Sequence, residues 1–206
     1  MKTIKWRILI LTSVVCLLPI LLGIALWQQL PETMAIHFNI HNEPDNFASK
    51  GFVVFALPCL MVFFQIVSCL AVDFNSKIRG EQKKIELVSK WIIPVVTVVL
   101  YIATLGYGMG WKLDIRMIAA VLVGGMLLVT GNYLPKLNYV KNYHLDTDKA
   151  RKINRFVGFE TVILGILFLL SIFLPPVATV VCVFLLIPCI VIGVIYGVVT
   201  GKSKKD

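Results

Sequence analysis

The sequence predicts an all-α membrane protein, a polytopic helical bundle of about six transmembrane helices with the N and C termini in the cytoplasm. Three observations carry this. Of 206 residues, 58% are hydrophobic and 15% charged, and the mean hydropathy of +0.87 is far above what a soluble domain with a polar surface tolerates. Six apolar runs approach the roughly 20 residues that a helix needs to cross a hydrocarbon core of about 30 Å. Seventeen of the twenty Lys and Arg residues fall in alternate connections and at the two ends, as they do on the cytoplasmic side of a membrane.

The runs cover approximately residues 8–27, 51–72, 91–110, 117–133, 156–174 and 177–200. The first is longer than a signal-peptide core of about 7–15 residues and no small-residue cleavage site follows it, so it reads as a retained helix. The inner side receives Lys2, Lys5 and Arg7, then Lys77, Arg79, Lys83, Lys84 and Lys90, then Lys136, Lys141, Lys149, Arg151, Lys152 and Arg155, and finally Lys202, Lys204 and Lys205. The outer side receives Lys50, Lys112 and Arg116. The net charge of +9 is thus arranged as topology requires. It suits a lipid bilayer with anionic head groups and needs no direct nucleic-acid partner.

The first outer connection, 28–50, is polar, contains Pro31 and Pro44 and lacks a sustained helical period. It is expected to form turns and short extended pieces packed over the helix ends. The inner connection 73–90 interleaves Ile78, Ile85, Leu87 and Val88 with Lys, Arg, Glu and Gln. That is the pattern of a helix extending below the membrane or lying on its surface, kept solvated by Lys83, Lys84 and Glu86. The inner connection 135–155 opens on Pro135, and Asp146 is placed to cap a helix running into the fifth span. The chain divides into a two-helix module over 1–75, with the outer loop 28–50, and a four-helix module over 76–206. Gly106, Gly108, Gly110, Gly124, Gly125, Gly193 and Gly197 are candidate points of close helix contact. Pro58, Pro94 and Pro188 lie inside spans, where each bends the helix and frees a carbonyl that a neighbour must satisfy.

Ionisable groups at membrane depth are costly and mark function. Glu160 is the one such group within the apolar runs, and Arg155 and Asn154 lie near enough in sequence to pair with it. Cys16, Cys59, Cys69, Cys182 and Cys189 all fall inside the runs and behave as small apolar side chains without a disulfide framework. The histidines, His37, His41 and His144, lie outside the spans, so no base reaches an intramembrane hydroxyl. There is no HExxH, no phosphate-cradling glycine loop and no pair of intramembrane aspartates. These features point away from an enzyme and from any cofactor. The outer cluster His37, His41, Glu43 and Asp45 has the residue types of a zinc site. Its histidines are four apart, however, which aligns two ligands only on a helix, and Asn42 and Pro44 predict a turn there, so no metal is expected. In that turn Asp45 is expected to accept from backbone amides, and Lys50 to pair with Asp45 or Glu43.

Two stretches carry a family resemblance. Leu30-Pro31-Glu32, then Ile36-His37-Phe38-Asn39 and Glu43-Pro44-Asp45 up to Lys50, resembles the outer-loop motif of a widespread bacterial domain of unknown function. Gly131-Asn132-Tyr133-Leu134-Pro135-Lys136 with Asn154-Arg155-Phe156-Val157-Gly158 resembles the C-terminal half of the SdpI-like immunity proteins. Both modules occur together in that family, in six-span chains of about this length. Asn42 stands where the family has glycine, a replacement that left-handed backbone tolerates. The family's Gly-x-Arg-Thr-Pro-Trp-Thr-Leu signature is missing, and Asn138-Tyr139-Val140-Lys141-Asn142-Tyr143-His144 stands in its place.

The resemblance implies a noncatalytic protein of the bacterial cytoplasmic membrane that gives immunity to, or senses, a secreted killing peptide. For the type system it also implies membrane capture of a transcriptional repressor. His37, Asn39, His41, Glu43, Asp45 and Lys50 would then face the peptide. Pro31, Pro44, Gly131, Asn132, Pro135, Lys136, Asn154, Arg155 and Glu160 would form the structural or functional motifs, and the basic inner loops would suit an acidic partner. The alternatives are a small transporter or exporter subunit and, behind it, an intramembrane enzyme using His37, His41 and Glu43.

Overall fold

The structure, a computed structural model, describes residues 4–74, 83–136 and 147–202. Six segments among them are long and apolar enough to cross a membrane: Trp6–Ala25, Phe52–Phe74, Lys84–Gly108, Ile115–Lys136, Asp148–Phe173 and Pro176–Thr200. The chain is a multi-pass membrane protein. The third and fifth spans begin well before the apolar runs at 91 and 156, because the helices continue through charged turns.

Helix α1 (Trp6–Leu17) passes through Leu18 into α2 (Pro19–Ala25), where the proline takes the first helical position and gives up no hydrogen bond of its own helix. The expected extended pieces of the connection 28–50 form an antiparallel hairpin of β1 (Thr33–Phe38) and β2 (Pro44–Ser49). Two strands alone are marginal in water. This pair is held by burying Met34 in a cluster with Leu30, Val53, Val54, Tyr101 and Leu105. The register slips between Ala35 and His37, so Ile36 is the unpaired residue of a bulge.

A π-helical turn, Phe52–Ala56, leads into α3 (Leu57–Phe74), and α4 (Lys83–Gly108) carries Pro94 in its interior. Pro58 cannot donate to the carbonyl of Val54, four residues back, and the Tyr101 hydroxyl donates to it at 3.3 Å. Pro94 in the same way releases the carbonyl of Lys90, which receives Gln65 Nε2 at 2.8 Å. In each case a side chain of the facing helix meets the freed carbonyl, as membrane burial demands.

The helices pack as two units. The first takes the described residues of Met1–Asn75 with Glu86–Ile118, and the second those of Ser76–Ile85 with Ala119–Asp206. This division of packing is not the division of modules expected at residue 75, since most of α4 packs with the N-terminal helices. The second unit holds α5 (Ile115–Tyr133) from Ala119 onward, a 3-10 turn Leu134–Lys136, α6 (Thr147–Leu170), a 3-10 turn Ser171–Phe173 and α7 (Pro176–Lys202). Asp146, expected to cap α6, lies outside the described residues.

Glycines set how closely α5 and α6 approach. A Cβ at Gly124 would stand 3.0 Å from the Gly165 carbonyl oxygen, and one at Gly131 would stand 2.8 Å from that of Gly158. Gly125, by contrast, faces open space. Gly193 faces Val157 and Gly197 faces Ile153, so that pair is used between α7 and α6 of the same chain. Leu164, Phe168 and Cys182 form this unit's buried core.

Candidate functional site

Asn39 builds the hairpin turn. Its Oδ1 accepts from the amides of His41 at 2.9 Å and Glu43 at 3.0 Å, and its Nδ2 donates to Glu43 Oε2 at 3.0 Å. This corrects the expectation that Asp45 would serve the turn's amides. Asp45 Oδ1 instead meets His37 Nδ1 at 2.5 Å, an exposed pair reaching across the two strands. Asn42 has φ 63°, the left-handed conformation that asparagine adopts at little cost. Its side chain bridges to the connection after α4, with Oδ1 accepting from the Ile115 amide at 2.8 Å and Nδ2 donating to the Leu113 carbonyl at 2.9 Å. The turn is therefore fixed to a second segment of the chain.

The open end of the hairpin is fixed by Lys50, which is 7% exposed. Its Nζ donates to Glu32 Oε1 at 2.9 Å and to the carbonyls of Trp27 and Leu30, each at 3.3 Å. It also lies 4.8 Å from the centroid of the Trp27 ring. The expected partners, Asp45 and Glu43, are the wrong ones for a topological reason. Strand pairing sets Thr33 opposite Ser49, which brings Lys50 beside Glu32 and leaves Asp45 near the turn. Pro31 lies against Gly108 of α4, and Pro44 opens β2 opposite Phe38. Among the described residues no three His, Cys, Asp or Glu side chains converge as a metal site would require.

A second cluster joins α3 and α4 to the residue before α1. Lys90 is fully buried, and Asp73 and Glu86 are 2% and 3% exposed. Lys90 Nζ lies 2.6 Å from Asp73 Oδ1 and 3.0 Å from Glu86 Oε1. Lys5 completes the group, its Nζ 2.5 Å from Glu86 Oε2 and its amide donating to Asp73 Oδ2 at 3.1 Å. Two cations thus face two carboxylates within hydrogen-bond distance, the condition under which such burial is tolerated. Gln65 continues the polar interior, donating to Thr12 Oγ1 at 2.7 Å and to Cys69 Sγ at 3.1 Å. Glu86 is therefore not a solvated surface residue, Lys90 is not part of a connection, and Glu160 is not alone among ionisable groups in the spans. The available signal was the i, i+4 spacing of Glu86 and Lys90 next to an apolar run.

In the second unit, Gly131 meets Gly158, against which the Pro135 ring also packs. Lys136 Nζ lies 4.9 Å from the centroid of the Tyr133 ring. Asn154 is buried, Asn132 and Arg155 are exposed, and Glu160 is half-buried beside Gly193. Glu160 makes no ion pair with Arg155. Five residues apart, the two project from different faces of α6, whereas helical pairs form at spacings of three and four. Residues 138–144 lie outside the described residues.

Residues 14–62, from α1 through the hairpin into α3, match the model of a domain of unknown function, DUF1648. Over 123 residues the chain is 24% identical to the immunity protein SdpI of Bacillus subtilis (strain 168), a match covering 60% of this chain and 58% of that protein. Over that stretch the chain is similar to SdpI. The match thus spans less than two thirds of its curated relative, and no solved structure matches the chain. Pro31, His37, Asn39, His41, Glu43, Pro44, Asp45 and Lys50 all fall within the DUF1648 stretch, whereas Gly131, Asn132, Pro135, Lys136, Asn154, Arg155 and Glu160 lie beyond it.

Proposed function

We propose that this protein is a noncatalytic membrane immunity protein whose hairpin recognises a secreted killing peptide outside the cell. The observation that carries this is the way the hairpin is held. Lys50 fixes its base and Asn42 its turn, while His37, Asp45, Ile40 and Phe47 stay exposed between these anchors. A preorganised surface loses little freedom when a partner docks, which favours affinity. Its strands are poorly suited to pairing with a peptide backbone. Pro44 and the bulge at Ile36 interrupt the ladder, and the Phe47 amide is engaged by Asn46 Oδ1 at 2.8 Å. Recognition by side chains fits better.

The similarity to an immunity protein supports the reading, and the distribution of basic residues supports both termini lying in the cytoplasm. The same inner charge suits an acidic partner such as a repressor held at the membrane. Expression in a peptide-sensitive host tests the central claim. Survival well above that of an empty vector is expected, and equal survival at verified membrane abundance refutes the reading.

A further inference from the structure

A recess beside the hairpin turn has chemistry that the recognition reading leaves unused. It is an open depression of about 560 Å³, walled by Asn42 and by the connection between α4 and α5 from Gly110 to Asp114, with Tyr107 behind. The groups along it divide into those already engaged and those that are not. Both ends of the Asn42 amide are bonded to the backbone of Leu113 and Ile115. Asp114 Oδ1 accepts from the Met117 amide at 2.9 Å, and Oδ2 pairs with Arg116 Nη2 at 3.4 Å. The Lys112 ammonium, the Trp111 indole N–H and the Tyr107 hydroxyl have no partner within the chain among the described residues.

The unengaged groups are mainly donors, whereas the one carboxylate of the lining, Asp114, is already engaged by the Met117 amide and Arg116. Such a site selects an anion. Its depth indicates which one. The connection runs from Gly108, where one span ends, to Ile115, where the next begins. That is the head-group level, where Trp, Tyr and Lys are favoured and phosphate is the abundant anion. We propose that this recess binds the phosphodiester of an anionic phospholipid, with the Lys112 ammonium on the phosphate and Trp111, half-exposed, against the glycerol. Because Asn42 ties the hairpin turn to Leu113 and Ile115, a lipid seated here also steadies the hairpin. The inference does not rest on the immunity reading and holds for either orientation in the membrane.

The test is native mass spectrometry of the full chain released from nanodiscs of equal parts phosphatidylglycerol and phosphatidylcholine. One phosphatidylglycerol per chain is expected to be retained in preference to phosphatidylcholine. Loss of one charge-assisted contact should lower that preference by about tenfold in Lys112→Ala, and Lys112→Arg should keep it. Lys112 is exposed, so both variants are expected to unfold at the parent temperature in phosphatidylcholine alone. Equal retention of the two lipids, or an undiminished preference in Lys112→Ala, overturns the proposal. Displacement of the retained lipid by soluble glycerol phosphate at equal concentration overturns it too, by assigning the recess to a free phosphate.

Discussion

The two packing units join their helices by different chemistry. In the N-terminal unit α1, α3 and α4 are linked by side-chain hydrogen bonds and ion pairs, from Lys5 and Glu86 through Lys90 and Asp73 to Gln65 and Thr12. In the C-terminal unit α5 and α6 meet backbone to backbone, Gly124 on Gly165 and Gly131 on Gly158. Lipid gives apolar side chains no reason to prefer one another, so helices need either directional bonds or close fit. The first solution depends on each charge keeping its partner. The second depends only on volume.

Removing one member of the buried charge group should have the largest effect. Lys90→Met leaves Asp73 and Glu86 buried without their shared cation, a change that costs about 3–5 kcal/mol. The variant should accumulate poorly in membranes and unfold at a much lower temperature in detergent. Adding Asp73→Asn and Glu86→Gln to it should recover part of the loss, because no uncompensated carboxylate then remains. A Lys90→Met protein as stable as its parent would mean that the group is not the unit's internal tie.

The glycine contact should break by volume alone, with a smaller effect. In Gly158→Ala the new methyl would stand 2.7 Å from Pro135 Cδ and 2.8 Å from the Gly131 carbonyl oxygen, so α5 and α6 must separate, at about 1–3 kcal/mol. Gly125→Ala is the matched control, since nothing lies within 4 Å of its Cβ, and it should unfold with the parent. If the two alanine variants shift the unfolding temperature equally, packing at Gly158 is not what holds α5 to α6.

These contrasts also explain what was legible in the sequence. Spans are read from length and apolarity, and both survive folding unchanged. The left-handed turn residue at Asn42 and the carbonyls freed by Pro58 and Pro94 follow from local backbone chemistry, so they too could be anticipated. The charge group could not, because a run of Lys and Glu below an apolar stretch reads the same whether it is solvated or paired. Its partners, moreover, lie 68 and 81 residues apart along the chain, from Lys5 to Asp73 and to Glu86. The Lys50 contact is hidden for a related reason. Its partner Glu32 is set by strand register, which a polar loop does not announce. Glu160 is the opposite case, close to Arg155 in sequence but turned away from it by the helix.

The hairpin offers the finest test, because its two ends combine anchoring and exposure in opposite proportions. Lys50 is buried with three oxygen partners, so Lys50→Met should free the hairpin's base and lower both thermal stability and accumulation. The His37–Asp45 pair is exposed, its side chains 67% and 43% accessible, and pairs of that kind contribute under about 1 kcal/mol. Asp45→Ala should therefore leave unfolding temperature and membrane abundance unchanged. If the exposed face recognises a peptide, the same substitution should still weaken protection of a sensitive host. Full protection by Asp45→Ala would move recognition off this pair, and loss of abundance alongside protection would make Asp45 part of the hairpin's support.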